Sequence, residues 1–266
     1  MSDITVRQSA AAIFFGRLGR LALRGIEQLG DGAILGLNAL GLIFKKPWQG
    51  KHFVLQMHAL GVGSLVIIVI TGAFTGMVLA LQGYYTLAKF GSESLLGAGV
   101  GMSIIRELGP VLGAFMIIGR AGSSITAEIG IMRVTEQTDA LEMMAVNPKQ
   151  RILLPRIVAV TLAVPLLVSL FDVIGIGSGY IVGVELLGVN PGAYMAELIA
   201  KITMHDLYGG WVKAVAFGFL IGMICTYMGY RSEPTTEGVA RATTQAVVAA
   251  SVTVLIIDYI LTSFFL

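Results

Sequence analysis

The residues of this sequence that could do chemistry are charged side chains in a chain that is otherwise mostly apolar. One group lies between Gly119 and Pro148 and comprises Glu128, Arg133, Glu136, Asp139 and Glu142. Drawn as one α-helix, the four carboxylates fall within an arc of roughly 120°, and apolar side chains gather on another face. Such a helix is expected to lie on a membrane surface, where its acidic stripe could bind a partner. An ordinary solvated helix fits the same pattern.

A second group of charged residues falls inside long apolar segments, at Arg106, Glu107, Asp172, Lys213 and Asp258. Each charge would cost about 2.5–3.5 kcal/mol if it faced lipid in the middle of a membrane helix, so these side chains must face protein or water. Pro110 predicts a kink just after the first two, because proline removes a backbone donor. Arg106 and Glu107 could form a structural ion pair, or could bind a polar group or gate a cavity.

The composition predicts that these charges are positioned by membrane helices. The chain has 266 residues, of which 56% are hydrophobic and 13% are charged, whereas a soluble domain is about 25% charged. The net charge of +2 gives no argument for nucleic acid. The single cysteine, Cys225, excludes an internal disulfide, and the scattered histidines predict no metal site. Arg17, Arg20 and Arg24 interrupt the apolar core that a cleavable signal peptide needs, so the N-terminal segment is expected to remain in the mature protein.

Five apolar segments are long enough to cross a bilayer, and they lie at 60–81, 96–118, 157–184, 209–230 and 245–266. Residues 9–44 alternate apolar clusters with charges and predict interfacial helices. Residues 185–207 and 231–244 are predicted as polar loops, the first with a short helix. The predicted fold is an all-α integral membrane protein with a single domain over 1–266. Residues 1–59 would form its interfacial part and 60–266 a five-span bundle.

Two of these segments share a pattern of small residues. GAFTGMVLALQGY at 72–84 and GFLIGMICTYMGY at 218–230 have glycine, methionine and tyrosine at matching positions. The repeat could be the remnant of a duplication of the kind that transporters show. The interpretation that the pattern favours is independent use of small residues for close helix packing.

The basic residues predict the orientation of the bundle. Most Lys and Arg residues fall on the side of the N-terminus, and only Lys89 and Lys201 lie clearly on the opposite side. The positive-inside rule then places the N-terminus and the helix between spans 2 and 3 in the cytoplasm, and the C-terminus outside.

The motifs of several enzyme classes are absent from the sequence. Gly50-Lys51 lacks both the earlier glycine and the following Ser or Thr of a phosphate-binding loop, and neither H-E-x-x-H nor G-x-S-x-G occurs. The chain is therefore expected not to be an enzyme and to hold no cofactor. A helical bundle with few internal charges and one cytoplasmic acidic helix favours a transport subunit that is driven from outside itself.

The sequence from Arg106 to Pro148 also resembles a known family. It reads RELGPVLGAFMIIGRAGSSITAEIGIMRVTEQTDALEMMAVNP, and it is accompanied by Pro155-Arg156, by PLL at 165–167 and by GVARATTQAVV at 238–248. Together these motifs are similar to those of the MlaE (YrbE) family, the permease subunits of ABC-type phospholipid transporters. The resemblance runs through residues 45–266.

The resemblance implies a homodimer in the bacterial inner membrane that maintains the lipid asymmetry of the outer membrane. Each permease would bind a cytoplasmic ABC ATPase, which holds the ATP and Mg, often with a small STAS-domain protein. A periplasmic ring of MCE-domain subunits would exchange phospholipid with a cavity between the two permeases. In such transporters a coupling helix between spans 2 and 3 contacts the ATPase, and that position falls on residues 124–146 here.

Two sets of site residues follow from this reasoning. The residues expected to couple to the ATPase are Glu128, Arg133, Glu136, Asp139, Glu142 and Met144. Acyl chains need apolar walls, and a phosphate needs a tyrosine hydroxyl or a cation near the interface. The residues expected to bind lipid are Met77, Val78, Leu81, Tyr84, Tyr85, Arg106 and Glu107. A belt of side chains that simply faces the bilayer is the other interpretation of Tyr84 and Tyr85.

Two other classes of function stay open for the sequence alone. Asp172, Lys213 and Asp258 would also suit an ion-coupled secondary carrier, because carboxylates inside a membrane can relay protons. A membrane scaffold that transports nothing is the second alternative. Binding of an ATPase would distinguish the permease from both.

Overall fold

The computed structural model describes residues 50–265, with side chains from residue 53 onward. Nearly all of this range is helical, and it contains no strand. Five helices are long and apolar enough to cross a membrane. In chain order the helices are α1 (Phe53–Ala88), α2 (Glu93–Val134), α3 (Gln137–Met143), α4 (Lys149–Leu186), α5 (Pro191–Lys201), α6 (Met204–Tyr230) and α7 (Thr236–Phe265).

The prediction of an all-α protein with five spans is confirmed for the described residues. The interfacial helices predicted over 9–44 lie outside those residues, and the division of the chain at residue 59 stays a prediction. Every span is longer than its apolar segment, because polar residues extend the helix at one or both ends. The predicted loop over 231–244 is wrong for most of its length, since α7 already begins at Thr236. The Thr235 hydroxyl accepts a hydrogen bond from the Gly238 amide in the first turn of α7.

The prediction of one separate amphipathic helix between Gly119 and Pro148 is also wrong. Residues up to Val134 continue α2, and the Ile125 and Ile129 side chains are buried where this part of α2 packs against α6 and α7. The helix ends at Val134, and Glu136 adopts a left-handed conformation with φ 55°. The chain then forms the short helix α3, which is followed by a second left-handed residue, Ala145. Glu128 therefore lies on α2, Glu136 in the turn, and Asp139 and Glu142 on α3. The predicted carboxylates share no single helical face.

Helix α4 is central to the bundle, with α1 and α6 packed against it. On α1, a side chain at Gly72 would meet Phe171 of α4, and one at Gly76 would meet the Gly175 carbonyl. On α6, a side chain at Gly222 would meet Ile157 of α4. The glycines of the two similar sequence segments therefore serve the same purpose, which is to let two helices approach the same third helix closely.

This packing predicts that Gly76→Ala destabilises the bundle. The added methyl group has no space beside the Gly175 carbonyl, and overpacking of this kind costs about 1–3 kcal/mol. Thermal unfolding of the purified protein in detergent measures the change. Gly177→Ala is the matched control, because a methyl group there would meet nothing within 4 Å. Equal stability of the two variants would contradict the close contact between α1 and α4.

Three of the spans contain turns that are not α-helical. The Val62–Ser64 segment of α1 is a 3₁₀ turn. Two segments of α2, Ile104–Leu108 and Ile118–Gly122, are π-helical, and so are both ends of α4. The predicted disturbance near Pro110 therefore takes the form of a π-helical turn just before the proline, which widens the helix at Arg106 and Glu107.

Helix α5 caps the end of the bundle opposite α3. Its first turn is closed by the Asn190 side chain, which accepts hydrogen bonds from the Gly192 and Ala193 amides. The Tyr194 side chain is fully buried and packs edge to face against Tyr180 with 5.4 Å between ring centroids. Burial raises the pKa of Tyr194 to about 12, so this anchor of α5 stays neutral.

Candidate functional site

The order of the helices gives the bundle two distinct ends. At the α3 end, α2 and α6 finish and α4 and α7 begin, whereas α5 lies at the other end. Most Lys and Arg residues of the described range lie near the α3 end: Arg120, Arg133, Lys149, Arg151, Arg156, Arg231 and Arg241. At the α5 end lie Lys89 and Lys201. Placing the α3 end in the cytoplasm stays a prediction from this distribution.

Lys213 of α6 is the centre of a polar cluster inside the bundle, and only 2% of the residue is exposed. Its Nζ donates to the Glu107 Oε2 at 2.8 Å, to the Thr262 hydroxyl at 2.7 Å and to the Arg106 carbonyl at 2.9 Å. The Asp258 Oδ1 lies 3.2 Å from the same Nζ as an ion-pair contact without hydrogen-bond geometry. One ammonium group therefore joins α2, α6 and α7.

Arg106 points to a different partner from its neighbour Glu107. Its Nε donates to the Asp206 Oδ1 at 2.7 Å, at the first turn of α6. The other oxygen of Asp206 accepts from the Thr203 amide and hydroxyl, both at 2.8 Å. The sequence interpretation of Arg106 and Glu107 as an ion pair is therefore wrong in its partners, because each residue pairs with α6. The Arg106 and Glu107 side chains are each 41% exposed, so both stay accessible.

Asp172 of α4 lies outside this cluster. Its Oδ1 is buried and has no hydrogen-bond partner. The oxygen occupies the place where a side chain at Gly109 would stand, beside the π-helical turn of α2. Of the three residues that suit an ion-coupled carrier, only Lys213 and Asp258 are in contact.

A groove of about 340 Å³ lies between α1 and α2 in the half of the bundle toward α5. Its walls combine leucine and valine side chains with amide and hydroxyl groups. The lining residues are Leu79, Gln82, Gly83, Thr86, Leu87, Leu96, Gly99, Val100 and Ser103. An elongated apolar ligand with a polar end would suit such a surface.

The lipid-binding residues predicted on α1 lie on a different face of the helix from this groove. None of Met77, Val78, Leu81, Tyr84 and Tyr85 lines it. Val78, Leu81 and Tyr85 are exposed on the outside of the described bundle. The spacing of Leu79, Gln82, Gly83 and Thr86 is that of one helical face, but the opposite face has the same spacing, so the sequence alone did not indicate which one lines the groove. The predicted set stays untested.

The residues predicted to bind an ATPase fall into two groups. Glu128 pairs with Arg156 at 3.1 Å, and Arg133 donates to the Tyr230 carbonyl at 2.6 Å, so both hold helices of the bundle together. The others lie on or beside α3 and are exposed: Glu136, Asp139, Glu142 and Met144. Met143, the neighbour of Met144, is 89% exposed. Helix α3 therefore offers carboxylates next to two uncovered methionines.

Helix α6 also presents an apolar face to the outside. An open depression of about 910 Å³ runs along it, and its lining includes Met204, Tyr208, Trp211 and Val215. In a membrane such a face meets acyl chains or another protein helix.

Comparison with known proteins identifies the family that this sequence matches. The family model described as Permease MlaE matches residues 53–264. The intermembrane phospholipid transport system permease protein MlaE of Haemophilus influenzae is 44% identical over 254 residues, which cover 94% of this chain and 96% of that protein. A probable ABC transporter permease protein of Rickettsia bellii is 40% identical over 248 residues, with 93% and 96% covered.

A more distant similarity extends to a plant protein. TRIGALACTOSYLDIACYLGLYCEROL 1, a chloroplastic protein of Arabidopsis thaliana, is 29% identical over 223 residues, which cover 84% of this chain and 64% of that protein. The family match covers all five candidate spans almost completely. This chain belongs to the MlaE permease family.

Proposed function

We propose that this chain is the membrane-spanning subunit of an ATP-driven phospholipid transporter in the bacterial inner membrane. The relative from Haemophilus influenzae is named as a phospholipid transport permease, and that from Rickettsia bellii as an ABC transporter permease. The observation that carries the proposal is α3, a short acidic helix held outside the bundle between two spans. Since the chain has no phosphate-binding loop of its own, we assign ATP and Mg to a separate ATPase.

Helix α3 is proposed to be the coupling helix that binds this ATPase. Glu136, Asp139 and Glu142 would pair with basic groups of the partner, and Met144 would supply an apolar contact beside them. Glu128 and Arg133 would act indirectly, because their side chains bind Arg156 and the Tyr230 carbonyl. Movement of the ATPase would then move α3 together with α2 and α4, to which α3 is connected.

The groove between α1 and α2 is proposed to hold an acyl chain of the phospholipid. Its leucine and valine side chains suit hydrocarbon, and the exposed Arg106 guanidinium, three residues beyond Ser103, suits a phosphate. The residues predicted on the other face of α1 would then meet the bilayer, or a second copy of the chain in a homodimer.

This use of the groove predicts that Gly99→Leu blocks transport without unfolding the protein. A side chain at Gly99 would meet nothing within 4 Å and would project into the groove. Leucine would take the place of the acyl chain. We therefore expect a severalfold decrease in two quantities: the crosslinking of labelled phospholipid to a photoreactive residue at position 86, and the transport of phospholipid. Gly177→Leu on α4 is the control, with equal space around it. Full transport by Gly99→Leu would contradict the assignment of the groove.

The wider assembly follows from the same proposal. The N-terminus would be cytoplasmic and the C-terminus periplasmic. A STAS-domain protein would accompany the ATPase, and a periplasmic MCE-domain ring would meet the α5 end. The complex would maintain the lipid asymmetry of the outer membrane.

Reconstitution tests the proposed function. The chain is purified with an ABC ATPase from the same organism and placed in liposomes with labelled phospholipid and an MCE-domain subunit. ATP-dependent movement of the label, insensitive to a protonophore, is the expected result. Transport that the protonophore abolishes would identify an ion-coupled carrier instead. Failure to bind an ATPase or to move lipid would favour a scaffold.

A further inference from the structure

Tyr230, the last residue of α6, is in contact with three other helices at the α3 end. Its carbonyl accepts the 2.6 Å hydrogen bond from Arg133 of α2. The Arg133 guanidinium lies 5.8 Å from the centre of the Tyr230 ring, and the Lys149 Nζ of α4 lies 6.0 Å from it. Both cations are at the distance of cation–π contacts. The Tyr230 hydroxyl donates to the Glu142 Oε1 of α3 at 3.4 Å.

These contacts connect α3 to a helix with which it is not continuous. The chain joins α3 only to α2 and α4. Each of those helices has a π-helical turn between α3 and the middle of the bundle. In α4 it is the first turn, Lys149–Leu153, and in α2 it is Ile118–Gly122, about 18 Å before the end of the helix at 1.5 Å per residue. Helices bend readily at such turns, because the regular hydrogen-bond ladder is interrupted there. Movement of α3 would therefore be partly absorbed in α2 and α4.

Helix α6 differs from these two neighbours because it is α-helical over its whole length, Met204–Tyr230. It also carries Lys213 and Asp206 of the polar cluster. Lys213 lies about 26 Å along the helix axis from Tyr230, at 1.5 Å per residue. A displacement of Tyr230 would move Lys213 relative to Glu107 of α2 and Asp258 of α7 without a bend between them.

We propose that Tyr230 is a positioning residue that transmits the movement of α3 to α6, and that α6 carries this movement to the polar cluster around Lys213. The proposal rests on the proposed function, in which an ATPase moves α3. The Tyr230 ring would bind the ends of α2 and α4 through Arg133 and Lys149, and the Tyr230 hydroxyl would bind α3 through Glu142.

Variants of Tyr230 test this role in the reconstituted complex with its ATPase. Tyr230→Phe removes only the hydroxyl, and Tyr230→Leu also removes the cation–π contacts. We expect both complexes to hydrolyse ATP but to move less phospholipid per ATP, with reductions in the range of about threefold to thirtyfold and the larger loss for Tyr230→Leu. Because both tyrosine hydroxyls bind charged groups, Tyr227→Phe is the matched control. The Tyr227 hydroxyl accepts from Arg231 at 2.8 Å, within the same helix end.

A double-mutant cycle separates transmission from a general loss of structure. Glu142→Gln and Tyr230→Phe remove the same hydrogen bond, the one between these two residues. The double variant should therefore lower the number of lipids moved per ATP no further than the more severe single variant does. Additive effects would overturn the proposal, and so would full transport per ATP in Tyr230→Leu. An equal loss in Tyr227→Phe, or release of the ATPase by Tyr230→Phe, would also overturn it.

The experiment distinguishes this inference from the proposed function on which it rests. If charge-reversal variants of Glu136 and Asp139 still bind the ATPase and transport lipid, the coupling role of α3 is wrong. If those variants lose the ATPase while Tyr230→Leu is fully coupled, α3 binds the ATPase and only the role of Tyr230 is wrong.

Discussion

Replacing Lys213 with methionine is expected to destabilise the bundle by about 3 kcal/mol, the lower end of the range for removing one partner of a buried ion pair. The substitution leaves Glu107 and Asp258 facing each other inside the membrane region without their shared cation. The lower end applies because Glu107 is partly exposed and keeps some solvation. Denaturant unfolding in detergent and the yield of folded protein measure the effect.

A triple variant provides the control for this prediction. Lys213→Met combined with Glu107→Gln and Asp258→Asn removes the cation together with the two charges that it neutralises. Because neutral groups of similar shape leave no unpaired charge, much of the lost stability should return. If the triple variant is as unstable as Lys213→Met alone, lost packing rather than unpaired charge explains the result.

Reversing the charges of Glu136 and Asp139 is expected to release the ATPase from the complex. Both side chains are exposed at the start of α3, so Glu136→Lys with Asp139→Lys should leave the bundle folded. Lysines facing the basic groups of a partner cost several kcal/mol, which weakens binding on the order of a hundredfold or more. Affinity measurements with the isolated ATPase, repeated at high salt, test this directly.

The matched control for this second prediction makes the same change of charge at the other end of the bundle. Glu93→Lys with Glu185→Lys alters two acidic residues at the α5 end and should bind the ATPase normally. Unchanged affinity in the Glu136 and Asp139 variant would contradict the assignment of α3, and an equal loss in the control would indicate a nonspecific effect of net charge.

The membrane helices could be predicted from the sequence because hydropathy is a local property. Every segment that was apolar enough to cross a bilayer is part of a long helix. The ends of the helices could not be predicted as well, since polar residues such as Glu237 and Arg241 continue a helix through contacts one turn apart. For the same reason the polar segment 231–244 was mistaken for a loop.

The acidic region between α2 and α4 shows where local pattern fails. Its periodicity was compatible with one continuous helix, but Ile125 and Ile129 are buried in the bundle and extend α2. The break depends on Glu136 in a left-handed conformation, which few non-glycine residues adopt. Neither feature has a sequence signal that can be recognised without knowing where α6 and α7 lie. The groove residues on α1 were missed in the same way, because only the position of α2 distinguishes that face from the opposite one.

The sequence by itself determined which apolar segments form the long helices. It also determined that Arg106, Glu107, Lys213 and Asp258 must avoid lipid, because the cost of a charge in hydrocarbon applies whatever the fold. Only the tertiary structure decided their partners. Arg106 binds Asp206, and Lys213 joins Glu107 to Asp258. These pairs lie far apart in the chain and meet because α2, α6 and α7 are neighbours, an arrangement set by the packing of whole helices rather than by the residues near any one charge.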